Sequence, residues 1–167
     1  KQVALTETDI ANSITKRMEY RNVDKARVKG VDISINSYLG YGVSLGGSYS
    51  YADAKDTNTD SRLPRSIKHS GSINSNWNKV WGFYTLNVNL AGRLQSERFE
   101  TGTYGNAPGY QLWNLSTRHT FNNLANFILE PGIGIENIFN YRDDRPYNSN
   151  YATLSPGRTY YVSLLLK

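Results

Sequence analysis

Arginine and tyrosine crowd the polar stretches of this 167-residue chain and are its most chemically able side chains. The stretch 141–157 holds Arg142, Arg145, Tyr147, Asn148 and Tyr151, and the stretch from 98 to 110 holds Arg98, Phe99, Tyr104, Asn106 and Tyr110. Guanidinium forks grip carboxylates and phosphates, while tyrosine gives flat contact area with a polar tip. That chemistry holds a bulky or anionic solute; it does not make or break bonds. Asp56-Thr-Asn58-Thr-Asp60 mimics the opening of a calcium loop, but Ser61 stands where the loop needs glycine and Ile67 where it needs glutamate. No metal ligand set is assigned. His69 and His119 lie far apart with no HExxH or GxSxG around them. Glu130 and Glu136 share one strand face, but about 20 Å apart, too far for a paired-carboxylate mechanism. No catalytic residue and no cofactor is implied, so the chain is not expected to be an enzyme.

The binding residues need a frame, and period-2 patterning supplies it. Val31, Ile33 and Ile35 share one face against Asp32, Ser34 and Asn36. Tyr41, Val43, Leu45, Gly47, Tyr49 and Tyr51 alternate with glycine and serine, and Leu86, Val88, Leu90 and Leu94 alternate with Asn87, Asn89, Arg93 and Gln95. The stretch 66–78 alternates more weakly. Trp113 with Leu115, Ile133 with Ile135, and Tyr160, Val162, Leu164 and Leu166 continue the pattern, giving about eight strands in all. Leu39-Gly40, 78–80 and 122–126 read as short turns, and 54–65, 98–109 and 141–157 as long loops. A soluble sheet rarely needs so many long strands with polar residues on the second face. A transmembrane β-barrel does, with lipid outside and a wet lumen inside.

Parity then sorts the charges. Arg93, Arg118, Glu130 and Glu136 fall on the lumen side, as lining for a solute path or as a salt-bridge network of the wall. Lys25, Arg27 and Lys29 fall on the lipid side at the loop end of a strand, where they would meet lipopolysaccharide phosphate unless a bulge turns them inward.

Composition bounds the class. Hydrophobic residues are 38% of the chain and mean hydropathy is −0.58, which a barrel tolerates because only alternate residues meet lipid. No apolar run approaches the length of a membrane helix. The absence of cysteine excludes disulfides and thiolate metal sites, and a net charge of +5 suggests an anionic neighbour. The basic residues form no groove-reading motif, which argues against nucleic acid.

Four segments resemble one family. Tyr20-Arg-Asn22-Val23-Asp-Lys25-Ala26-Arg27-Val-Lys-Gly30-Val31-Asp32 is similar to "Y-x-N-hydrophobic-x-K-A-x-x-x-G-hydrophobic-E", with Asp32 in place of Glu. Ser50-Tyr51-Ala-Asp53-Ala54 with Leu63-Pro64-Arg65-Ser-Ile-Lys68-His69 is similar to "S-Y-x-x-A … L-P-x-x-P-x-H". Gly134-Ile-Glu136-Asn137-Ile138-Phe139-Asn140-Tyr141 resembles the "N-L-F-D" strand end, and Ser155-Pro156-Gly157-Arg158 the "P-G-R" approach to a final strand. Together they resemble the C-terminal barrel portion of TonB-dependent outer-membrane receptors of Gram-negative bacteria.

The resemblance implies an all-β fold and places residues 1–167 as the last eight or so strands of a 22-stranded plugged barrel. The remaining strands and the plug domain are then expected on another chain. It implies active transport of a scarce bulky solute, a metal chelate (siderophore or haem) or a corrinoid such as cobalamin. TonB would act through the plug, with a surface lipoprotein as a further candidate partner. The long loops would be extracellular and the C-terminus periplasmic. Two other readings stand beside it: a self-contained eight-stranded barrel with a structural or adhesion role, and a soluble carbohydrate-binding β-sandwich.

Overall fold

The protein is described from a computed structural model covering residues 2–5, 18–21, 26–101, 105–124, 127–143 and 156–167. Nine strands form: β1 (Gln2–Leu5), β2 (Met18–Arg21), β3 (Ala26–Gly40), β4 (Val43–Asp56), β5 (His69–Trp81), β6 (Tyr84–Gln95), β7 (Tyr110–Leu124), β8 (Phe127–Glu136) and β9 (Thr159–Leu166). β1 and β2 pair with each other, and β3 to β9 make one seven-stranded antiparallel sheet in which every strand bonds its sequence neighbours. The sheet does not close on itself. Among the described residues β3 and β9 have no partner on their far edges, so the described strands do not close into an eight-stranded barrel.

The register carries the sidedness. Residues directly opposite across antiparallel strands share a face, and Ile33, Tyr49, Gly71, Leu94 and Gln111 form one such row across five strands. Following the rows puts Val31, Ile35, Leu45, Ile73, Trp77, Val88, Leu90, Leu115, Ile133, Val162 and Leu164 on the outer face. Ser34, Ser48, Asn74, Asn76, Asn87, Asn89, Ser116 and Ser163 lie on the inner face. Much of the apolar set stands open: Val31, Ile133 and Leu164 are 56%, 55% and 69% exposed. Ala107, in a loop, is the buried hydrophobic residue among those described. A seven-stranded sheet with a largely open apolar face and, among the described residues, no second layer packed on it does not have the architecture of a water-soluble sandwich.

Local chemistry explains the turns. Tyr41 and Gly42 both have positive φ, 52° and 85°, the type I′ geometry that matches strand twist in a two-residue hairpin. Gly82, with φ 56°, opens the two-residue Gly82-Phe83 turn between Trp81 and Tyr84. Both turns lie two to three residues beyond the expected positions, because the alternation runs on through Leu39 and Val80. Long connections, 57–68, 96–109 and 137–158, occupy the opposite end. Across Pro131, which has no N–H to give, the β7–β8 ladder skips from Arg118↔Gly132 to Phe121↔Leu129. At Gly92 and Gly134 the neighbouring strand lays an aromatic ring, Trp113 and Tyr161, over the bare backbone.

Candidate solute site and the wall that carries it

The long connections interlock instead of standing as separate loops. Arg98 pairs with both Ile67 and Ala107 in isolated β-bridges. The Arg65 amide donates to the Phe99 carbonyl at 2.6 Å and the Phe99 amide to the Ser66 carbonyl at 2.9 Å. Arg62 is the hub. Its Nε donates to Ser66 Oγ at 3.0 Å, its Nη1 lies 3.5 Å from Glu97, and its guanidinium sits 5.3 Å from the Phe99 ring centroid. Sequence reasoning missed this residue, because partners 35 and 37 positions away leave no local signal.

Four residues expected at the solute take part in this framework. Arg98 forms a largely buried ion pair with Glu100 at 2.8 Å, and Phe99 lies beneath Arg62. Asn106 Oδ1 accepts the Glu100 amide at 3.1 Å. Tyr110 donates its hydroxyl to Gln95 Oε1 at 3.1 Å, and its ring packs 5.6 Å from that of Tyr141. Arg142 is exposed, its guanidinium laid against Gly157. Tyr104, Arg145, Tyr147, Asn148 and Tyr151 lie outside the described residues.

A polar latch closes the third connection. Asn137 is 5% exposed and left-handed, with φ 52°. Its Nδ2 donates to the carbonyls of Tyr141 at 2.8 Å and Pro156 at 3.0 Å, and its Oδ1 accepts the Tyr141 amide at 2.8 Å. Asn114 Oδ1 accepts the Asn137 amide at 2.9 Å, tying the turn back to β7. Nearby, Asn140 Oδ1 accepts the Arg158 amide. The Asn137-Ile-Phe-Asn140 segment thus fastens both ends of the 141–157 stretch together and aims the chain into β9.

A curved antiparallel meander with short turns at one end, interlocked loops at the other and an apolar outside has a known counterpart. A family model described as TonB dependent receptor-like, beta-barrel, matches residues 2–140. The chain belongs to this family. The crystal structure of BauA, the ferric preacinetobactin receptor from Acinetobacter baumannii, shares the fold with a TM-score of 0.68 at 17% identity, covering 98% of this chain and 25% of that one. The chain thus spans about a quarter of that receptor's length.

For a TonB-dependent receptor barrel, the inner face is the lumen wall. It carries amide and hydroxyl pairs: Asn76 and Asn87 exchange side-chain bonds at 3.1 and 3.3 Å, and the Ser48 and Ser72 hydroxyls meet at 2.7 Å. Arg93, Arg118, Glu130 and Glu136 all lie on this face by register. Glu130 pairs with Lys167 at 3.3 Å; the other three have no ion pair among the described residues. Arg118 borders a polar recess of about 300 Å³ shared with Asn89, Ser116, Tyr161 and Ser163.

At the long-connection end of β3, Arg27 and Lys29 pair regularly with Lys55 and Asp53, with no bulge to turn them to the other face. Lys25 lies outside the described residues. Asp60 is held by Arg27 at 3.5 Å and Lys55 at 3.3 Å, which uses the carboxylate a calcium ion would need. Among the described residues no group of three His, Asp or Glu side chains could hold a metal. Each histidine bonds a neighbouring tyrosine, His69 with Tyr49 at 2.8 Å and His119 with Tyr84 at 2.7 Å.

Proposed function

We propose that the chain is the C-terminal wall segment of an outer-membrane receptor that takes up a scarce bulky solute by TonB-driven transport. The observation that carries this is the sorting of side chains into an apolar exterior and an amide-lined interior by a register whose shifts fall at the turn ends of β3 and β7. In this reading the long connections face the cell exterior and the short turns the periplasm. The remaining strands and a plug complete the barrel, and TonB acts through the plug. The solute is a metal chelate or corrinoid, and the neighbouring fold of a ferric preacinetobactin receptor favours a ferric chelate. Arg62, Arg98 and Asn137 hold the loop frame, and Arg142 with Tyr104, Arg145, Tyr147, Asn148 and Tyr151 meets the solute from it.

The test uses the full-length receptor. Binding of ferric siderophores, haem and cobalamin is measured by fluorescence quenching, and uptake of the labelled solute is followed with and without TonB. A ferric chelate should bind and enter only when TonB is present. Uptake independent of TonB, or binding to none of the three classes, refutes the reading.

A further inference from the structure

Polar side chains of the lumen wall bond one another in several places, as Asn76 does with Asn87 and Ser48 with Ser72. One cluster does not. Two adjacent inner-face rows, the first through Asn87, Arg118, Gly132 and Ser163 and the second through Asn89, Ser116, Gly134 and Tyr161, both cross β8 at glycine. The neighbours lean in over these glycines. A Cβ at 132 would lie 2.6 Å from Ser163 Oγ, and one at 134 would strike the Tyr161 ring. The result is the recess of about 300 Å³ beside Arg118. Around it the Arg118 guanidinium and the hydroxyls of Ser116, Tyr161 and Ser163 have no hydrogen bond or ion pair among the described residues.

Uncommitted donors around a single positive charge select an anion. The guanidinium offers its N–H groups in a fixed fork that fits a carboxylate or phosphate, and each hydroxyl adds another donor. No neighbouring carboxylate of the wall answers it. Lys167 holds Glu130 at 3.3 Å, and Glu136 stands four residues from Gly132 on β8, about 13 Å along the strand. Tyr161 is 41% exposed, so its ring, laid over Gly134, offers a flat surface on which a second ring can stack. A volume of about 300 Å³ falls at the lower end for small-molecule sites and is more than one side-chain carboxylate fills. Arg118 lies eight residues from Tyr110, the loop end of β7, or about 26 Å along the strand. The recess is therefore well separated from solute contacts on the long connections.

We propose that this recess is a second solute subsite, which takes an acidic aromatic group of the transported solute on its way through the lumen, the acid at Arg118 and the ring against Tyr161. The inference rests on the reading of the chain as the wall of a solute-uptake receptor.

The test photolabels the full-length receptor with para-azidobenzoate and, in parallel, with its uncharged counterpart para-azidobenzamide, and maps the modified residues by mass spectrometry. The acid should label β7 and β9, Tyr161 among them, and the amide about tenfold less. Arg118→Gln should lower labelling by the acid about tenfold, and Ser163→Ala, which keeps the charge, about threefold. The other source of a carboxylate is a side chain of the plug. Treating Arg118→Lys with a carbodiimide reads it, and no coupling to the plug is expected. Equal labelling by acid and amide, labelling unchanged in Arg118→Gln, no labelling of β7 or β9, or carbodiimide coupling to a plug carboxylate overturns the proposal. Labelling requires neither TonB nor the natural solute. Uptake independent of TonB with labelling intact therefore overturns only the uptake reading, and TonB-driven uptake without labelling only this one.

Discussion

Replacing Asn137 with alanine should open the 141–157 connection without unfolding the wall. The side chain makes three hydrogen bonds, at 2.8, 3.0 and 2.8 Å. Each contributes about 1 kcal/mol net, and a left-handed backbone costs alanine about 1 kcal/mol more. The sum, about 3 to 4 kcal/mol, falls on the latch and not on the sheet, because the Asn137 amide keeps its bond to Asn114. Hydrogen exchange by mass spectrometry on the full-length receptor reads it directly. Amides in 137–143 and 156–160 should exchange about 100- to 1000-fold faster, while those of β4 and β5 stay at the wild-type rate. Asn137→Gly restores the left-handed conformation but none of the bonds, so it should exchange about fivefold more slowly than the alanine variant. An alanine variant within about threefold of wild type would show that the latch does not hold the turn, and a glycine variant equal to wild type that the backbone conformation and not the bonding holds it.

Cysteine scanning tests the two faces: in the full-length receptor, Ser72→Cys and Asn89→Cys should label with a water-soluble maleimide, and Val88→Cys and Ile133→Cys only with a membrane-partitioned reagent. Reversed labelling at any pair contradicts the register. The Arg98–Glu100 pair should show a coupling of about 1 kcal/mol in a double-mutant cycle with Arg98→Gln and Glu100→Gln, read from loop exchange. Zero coupling with lost solute binding in Arg98→Gln alone would make Arg98 a solute contact instead. Gly134→Ala puts a methyl into the Tyr161 ring and should destabilise the barrel by about 1 to 3 kcal/mol, measured by heat modifiability on gels. Adding Tyr161→Ser should restore stability; a second variant no better than the first refutes the ring–glycine contact.

The strand faces were legible in the sequence because side-chain parity is a local property. Val31, Leu90 and Leu164 could be assigned outward without any knowledge of their partners, and so could the shared face of Arg27 and Lys29. Turn positions were less legible. Alternation persists through Gly40-Tyr41 and Val80-Trp81, so hydrophobicity alone cannot say where the chain reverses; backbone freedom at Gly42 and Gly82 decides it. The loop layer was legible only as composition. Arg98 and Phe99 read as free binding groups because their partners, Ala107, Ser66 and Arg62, are set by the docking of one loop on another. Asn137 was visible as part of a motif, but nothing in the motif says that its amide bridges Tyr141 and Pro156.

The register also yields a membrane thickness. On the outer face the rows from Tyr51 to Trp77 carry no Asp, Glu, Lys or Arg among the described residues. Lys29 and Asp53 mark one limit of this band and Lys79, opposite Leu86, the other. Counting along β4 from Asp53 to Leu45, across to Ser75 and on to Lys79 gives about 40 Å of strand, or about 30 Å along the membrane normal at a tilt of about 40°. The hydrocarbon core of a bilayer is about 30 Å. The histidines of this face stand at its two limits, His69 in the Tyr51 row and His119 in the row of Lys79 and Leu86, and each is hydrogen-bonded to a tyrosine. Aromatic rings gather with them: Trp81 and Tyr84 stack at 5.7 Å beside His119, and Tyr51 lies 5.2 Å from His69. Polar tips on apolar rings belong at a membrane interface, and the two girdles fall where the charges stop. A soluble sheet has no reason to keep a charge-free stripe of this height or to end it with tyrosine–histidine pairs on both sides.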